Sequence, residues 1–129
     1  MLDRCLKCHP GSLVSESLNH ADTIKHEADA TLQEMHEIVR RLEHEGILAR
    51  DGSGKPDRTG HPVLLGGEQI IKGTSRIERL YFDAFKVWHP LMWKAAYHNA
   101  PTKVIEARRK LDMILAAMKD EAARLRDGE

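Results

Sequence analysis

The sequence predicts an all-α protein. Apolar residues recur in steps of three and four along three long stretches, which is the spacing of helices that pack on one face. Charged residues make up 31% of the 129 residues and hydrophobic residues 41%, which favours a folded, mostly helical chain over a disordered one. Glycines concentrate between two of these stretches, where helices are expected to end.

Composition also excludes several classes of partner. Twenty Lys and Arg balance twenty Asp and Glu, and no basic block occurs, which argues against a nucleic acid or an anionic membrane surface. No apolar run approaches the roughly 20 residues that a membrane span requires. We therefore expect no nucleic acid partner and no membrane span.

Residues 12–45 predict one long helix of roughly 50 Å. Ser12 or Ser15 is the expected N-cap, and Gly46 is expected to end the helix in a left-handed conformation. Lys25 is the one polar member of a heptad-like seam. The other members of that seam are apolar or small: Val14, Leu18, Ala21, Ala28, Leu32, Met35, Val39 and Leu42.

Residues 46–74 predict a glycine-rich loop, because seven of the nine glycines of the chain lie there. Two short apolar runs, 63–65 and 69–71, are expected to anchor it. His61 fits an ordinary loop position better than the alternative, a ligand to a neighbouring metal group.

Residues 75–129 predict a kinked pair of helices. The first runs from about Ser75 to Tyr97, and Pro90 is expected to kink or break it after His89. The second begins at Pro101, a residue suited to a first helical turn. All six aromatic residues fall between positions 81 and 97, where they either pack a core or cover the large apolar face of a cofactor.

The first eleven residues carry the motif with the clearest chemistry. Cys5, Cys8 and His9 form C-x-x-C-H, the attachment signature of a c-type haem. Two cysteines on one turn can form thioethers to the two vinyl groups of the porphyrin, and the adjacent histidine can ligate the iron. A zinc half-site and a thioredoxin-like pair are the alternatives. The first lacks further cysteines and the second lacks a preceding strand.

Two other histidines are candidate axial ligands. His98 lies between the last two predicted helices, and His89 lies within the aromatic stretch. For each, the alternative is a hydrogen-bonded histidine near a helix end. No H-E-x-x-H pair occurs, which argues against a zinc peptidase.

Haem c attachment predicts a periplasmic or otherwise exported protein. The chain shows no export signal ahead of the motif, so we expect it to be a portion of a longer protein.

The ordered motifs resemble the C-terminal part of the hydroxylamine oxidoreductase-like octahaem cytochromes c. The run Tyr97-His98-Asn99-Ala100-Pro101 before a long helix is also similar to a late segment of the pentahaem nitrite reductases. The resemblance extends from Cys5 to about Leu125 and rests on four segments: residues 5–9, 22–29, 77–83 and 94–99.

This resemblance implies that residues 5–9 hold the last haem of a series and that the long helices complete a larger multihaem domain. It implies that His98 is an axial ligand of a haem other than the one held by His9. It also implies partners: the remainder of the multihaem protein, subunit contacts made by the long helices, often in a trimer, and a small nitrogen substrate in the parent enzyme.

One departure from the family pattern concerns the direction of electron flow. The hydroxylamine-oxidising members place a cross-linking tyrosine after the segment that resembles 98–101, whereas no aromatic residue follows Tyr97 here. The resemblance therefore favours a reductase of nitrite or hydroxylamine, or an electron carrier, with this chain alone not catalytic. The alternative function is a haem-free helical interaction module whose C-x-x-C is incidental or binds zinc with a partner.

Overall fold

The computed structural model describes residues 2–48 and 75–128, and this part of the chain is all-α, as predicted. Most of the predicted loop 46–74, with its apolar anchors and His61, lies outside the described residues. The helical elements in chain order are α1 (Leu2–Cys5), α2 (Gly11–His44), α3 (Arg76–Asp83), a π-helical turn (Ala84–Trp88), α4 (His89–Tyr97) and α5 (Pro101–Arg126).

The two ends of α2 are set by different local features. The predicted serine caps are wrong, because the helix begins at Gly11 with Pro10 as its N-cap and has no side-chain cap. The carbonyl of Pro10 accepts the first hydrogen bond, from the N–H of Val14, so that Ser12 already lies within the first turn. At the other end Gly46 has φ of +73°, as predicted, because the left-handed turn that satisfies the last carbonyls favours glycine.

The middle helix passes through Pro90 instead of breaking. Ser75 and Glu78 form a reciprocal capping box that starts α3. The expected disruption at Pro90 appears one turn earlier, where the N–H of His89 donates to the carbonyl of Ala84 in the π-helical turn. This wider turn accommodates the missing N–H and the bulky ring of proline, so the helical run continues to Tyr97.

A tight turn connects α4 to α5. Asn99 takes a positive φ of 52°, a conformation that asparagine tolerates better than most residues. The N–H groups of Asn99 and Ala100 donate to the carbonyls of Ala96 and Ala95, which closes the end of α4. Pro101 lies in the first turn of α5, as predicted.

The long helices form an up-down-up bundle of three. From the N-terminus to the C-terminus of α2, its side chains contact residues of progressively lower number on α4 and then α3. Both helices are therefore antiparallel to α2. Salt bridges join α2 and its C-cap to α5. The residue numbers of the two partners increase together from one salt bridge to the next, so α2 and α5 are parallel. The paired residues are Glu27 with Arg108, Glu34 with Lys119 and Glu45 with Arg126.

The core lies between these three helices. Most of the predicted seam of α2 is buried, but Ile24 enters the core in place of Lys25, which is half-buried and pairs with Asp29 at 2.6 Å. Burying the branched apolar chain and leaving the amine at the edge avoids the cost of desolvating a charge. The least exposed large side chains of this core are Met35, Leu42, Ile77, Met92, Leu111 and Met118.

The N-terminal part of α2 extends beyond the other helices. Asp22 is level with Tyr97, the last residue of α4, because the two side chains are hydrogen-bonded. Glu27 pairs with Arg108, which places the start of α5 near the level of residue 20. We call residues 2–21 the N-terminal arm. At 1.5 Å per residue, Gly11 lies about 17 Å beyond the level of Asp22.

None of the described helices is long and apolar enough to cross a membrane.

Two methionines on α5 provide a test of the bundle. Met118 is fully buried, whereas Met113 is 64% exposed on the same helix. We expect Met118→Ala to lower the free energy of unfolding by about 2–5 kcal/mol, because it removes buried apolar volume and leaves a cavity. The matched control, Met113→Ala, should stay within about 0.5 kcal/mol of the parent. Urea denaturation measures both, and equal effects would contradict the described orientation of α5.

Candidate functional site

The C-x-x-C-H motif lies on one helical turn at the end of the N-terminal arm. The N–H of Cys8 donates to the carbonyl of Cys5 at 3.2 Å, and the N–H of His9 donates to the same carbonyl at 3.0 Å. These two bonds wrap the chain so that both thiols and the imidazole project from a single turn. The backbone of the motif is therefore one helical turn, and its use for haem attachment stays a prediction.

The side chains of the motif differ in their exposure. Cys8 and His9 are exposed, Cys5 is half-buried, and both thiols are free. The turn packs lightly on the start of α2, where a Cβ placed on Gly11 would lie 3.7 Å from Leu6. Two thiols and an imidazole on an accessible turn fit the attachment of haem c. Across residues 2–48 and 75–128, no group of three His, Cys, Asp or Glu side chains is placed to hold a metal ion by itself.

His98 lies at the opposite end of the arm from the motif. It is the C-cap of α4, it is exposed, and its N–H donates to the carbonyl of Lys94 at 3.0 Å. Because His98 adjoins Tyr97, it is level with Asp22 and lies about 17 Å along α2 from the level of the motif. One chain therefore does not bring His9 and His98 to the two sides of one iron.

His89 connects α4 to α2 through a hydrogen bond with Asp29. Its Nε2 lies 2.7 Å from Oδ1 of Asp29, and its side chain is only 16% exposed. Asp29 also accepts a hydrogen bond from Lys25 at 2.6 Å. The structure therefore gives His89 a structural partner, the arrangement that the sequence left open as the alternative to a ligand.

Three interhelical hydrogen bonds form a line that the sequence motifs do not single out. On α2 the participants are seven residues apart, and on the middle helix they are eight residues apart. We call this line the polar seam. It consists of Asp22 with Tyr97, Asp29 with His89, and His36 with Tyr81. The regular spacing of Asp22, Asp29 and His36 is the signal from which it could have been found.

The aromatic stretch divides into a buried and an exposed end. Tyr81 is 2% exposed and stacks on Phe85 with ring centroids 6.4 Å apart, so this end packs the core. At the other end Tyr97 is 39% exposed and meets Trp93 edge-on at 6.3 Å. Covering a porphyrin stays a prediction for Trp93 and Tyr97, which lie beside His98.

Electrostatics at the polar seam follow from these contacts. Burial raises the pKa of Tyr81 above its usual value. The hydrogen bond to Asp22 raises the pKa of Tyr97, so both phenols stay protonated at neutral pH. Burial alone would raise the pKa of Asp29, but the hydrogen bonds from Lys25 and His89 outweigh it and hold the pKa below the usual range.

Comparison with known proteins identifies no relative. No protein-family model, no curated protein and no solved structure matches the chain. The resemblance to octahaem cytochromes therefore rests on the sequence motifs alone, and the case for a function rests on the geometry of residues 5–9 and 98.

Asp29 predicts a pH dependence of stability. Its lowered pKa means that the folded chain binds fewer protons there than the unfolded chain at acidic pH. The stabilisation is therefore present above the unfolded pKa and is lost as the pH falls below about 4. Asp29→Asn should remove this part of the pH profile. The effect should not exceed about 1 kcal/mol, because the Asp29 side chain is 40% exposed.

Urea denaturation between neutral and acidic pH measures this effect as the difference between variant and parent. The control is Asp112→Asn, an exposed position on α5, which should leave the profile unchanged. Parallel profiles for Asp29→Asn and the parent would contradict a stabilising role for this carboxylate.

Proposed function

We propose that this chain is the haem-binding, electron-transfer portion of a multihaem c-type cytochrome that acts on small nitrogen compounds. The observation that carries the proposal is the single helical turn that presents Cys5, Cys8 and His9 at the end of the N-terminal arm. Spacing and local geometry agree, and few other cofactors require two thiols and a following histidine in this order.

The residues of the turn have separate roles in this proposal. The S–H bonds of Cys5 and Cys8 add across the two vinyl groups of the porphyrin, which gives two thioethers and needs no oxidant. His9 would ligate the iron through an imidazole nitrogen. Bound in this way, the haem supplies one-electron transfer between ferric and ferrous states. His98 would ligate a haem held by another motif; this is supported by the roughly 17 Å of α2 that separates its level from that of the C-x-x-C-H turn.

The parent enzyme is proposed from the resemblance. Hydroxylamine or nitrite is the substrate class, and the reductive direction is favoured because no aromatic residue follows Tyr97. In this scheme the present chain conducts electrons, and the catalytic haem belongs to the remainder of the protein. Haem c attachment places the protein in the periplasm or another exported compartment.

The second candidate is a haem-free helical interaction module. It is favoured by the position of the core, which is formed from Ile24 onward and leaves out residues 5–9. In that case Cys5 and Cys8 would be incidental or would bind zinc together with thiols of a partner, since zinc prefers four such ligands.

Covalent haem attachment distinguishes the two candidates. The full chain, matured in a host that attaches haem c, should carry a Soret-absorbing chromophore that survives acid–acetone extraction. Cys5→Ala/Cys8→Ala should lose that chromophore, because both thioether bonds are removed. The control, His44→Ala at the far end of α2, should retain it. If the parent chain gains no covalent chromophore but binds zinc through its thiols, the interaction module is the correct function.

A further inference from the structure

We propose that the N-terminal arm opens and closes independently of the bundle in the haem-free chain, and that haem attachment holds it closed. The second half of this inference rests on the proposed function and concerns the same turn, residues 5–9. It gives assembly an order. The bundle folds first, and the motif stays accessible to the chemistry of attachment until Cys5 and Cys8 have reacted.

The first argument is that the arm lies outside the core. The core begins on α2 at Ile24, and no residue from 2 to 21 belongs to it. Only Val14 and Ala21 are buried in the arm. The exposed leucines of the arm, at 54%, 48% and 49%, are Leu2, Leu6 and Leu13. Opening the arm therefore exposes little apolar surface that is not already in contact with water.

The second argument is that polar contacts between α2 and the other long helices begin where the arm ends. The first side-chain hydrogen bond joins Asp22 to Tyr97, and the first ion pair joins Glu27 to Arg108. Within residues 2–48 and 75–128, no side chain of the arm forms a hydrogen bond or an ion pair with α3, α4 or α5. Asp22 therefore marks the point at which α2 leaves the bundle.

The third argument is that the arm is a weak helix by itself. The start of α2 has neither a side-chain cap nor an acidic residue in its first turn, so both common stabilisers of a helix N-terminus are missing. Residues 11–21 include one glycine, three serines and one asparagine, which favour a helix less than alanine does. A helix this short is marginal in water without packing, so we expect it to unfold from its free end.

Haem attachment would reverse this balance. The N–H groups of Cys8 and His9 both donate to the carbonyl of Cys5 in the closed turn. Two thioethers and an iron–histidine bond would tie three side chains of this turn to one rigid ring. A group that binds the closed form in preference to the open form stabilises the closed form by mass action. The carbonyl of Pro10 then continues the ordered turn directly into α2, where it accepts from Val14.

Amide hydrogen exchange on the full chain tests the proposal. In chain produced without haem c attachment, the amides of residues 12–20 should exchange at least about 100-fold faster than those of residues 28–42, because only the latter require the bundle to open. In chain that carries covalent haem, the amides of residues 12–20 should exchange at least about tenfold more slowly than in the haem-free chain. The amides of residues 28–42 should stay unchanged.

Two variants of the haem-free chain separate the arm from the bundle. Ser15→Ala/Ser17→Ala replaces two exposed serines with the best helix former, and it should slow exchange in the arm about three- to fivefold while leaving residues 28–42 unchanged. Met118→Ala removes a fully buried side chain. It should speed exchange of residues 28–42 at least about tenfold and leave the arm unchanged.

The possible outcomes can be told apart. If arm and bundle exchange at one rate in the haem-free chain, or if each variant changes both regions alike, the arm is part of the cooperative bundle and the proposal is overturned. It is also overturned if attached haem leaves the exchange of the arm unchanged. Failure to attach haem in a competent host would contradict the proposed function, whereas exchange in the haem-free chain would still decide whether the arm opens independently.

Discussion

The register of α2 against the middle helix is the constraint on which the rest of the structure depends. Apolar side chains alone fit several registers, because a heptad-like seam repeats itself every two turns. The polar seam reduces this freedom, because a shift by one heptad breaks all three of its hydrogen bonds and brings at most two aspartates opposite new donors. Partly buried polar groups stabilise little on balance, but they penalise every arrangement in which they lose their partners. The polar seam therefore specifies the alignment more than it contributes to stability.

That alignment determines the positions of the C-x-x-C-H turn and of His98 relative to the bundle. With Asp22 opposite Tyr97, α2 extends about 17 Å beyond the helices that pack on it. The C-x-x-C-H turn consequently lies at the end of the N-terminal arm, outside the described core. The same alignment places His98 at the base of the arm. Within the described residues, His9 and His98 therefore lie at different levels along α2.

The remaining contacts support this arrangement without defining it. Surface ion pairs between α2 and α5 are individually weak, although three in one line favour the parallel orientation. Glu121 is more informative, because it is 4% exposed and is held by Arg124 at 2.6 Å and Arg76 at 3.1 Å. A buried carboxylate needs such partners, and the hydrogen bond from Arg124 lowers its pKa below the usual range. This contact joins α5 to the start of α3.

The sequence by itself determined the features that depend on neighbouring residues. These are the helical class, the left-handed end at Gly46, the start of α5 at Pro101 and the single turn that carries Cys5, Cys8 and His9. Tertiary structure alone decided which side chains contact each other. Ile24 is buried in the core in place of Lys25, and His89 is hydrogen-bonded to Asp29. It also decided that His98 lies far from His9 along α2. The physical reason is that periodicity fixes the face of a helix, whereas the register between helices depends on contacts between residues 45 to 75 positions apart.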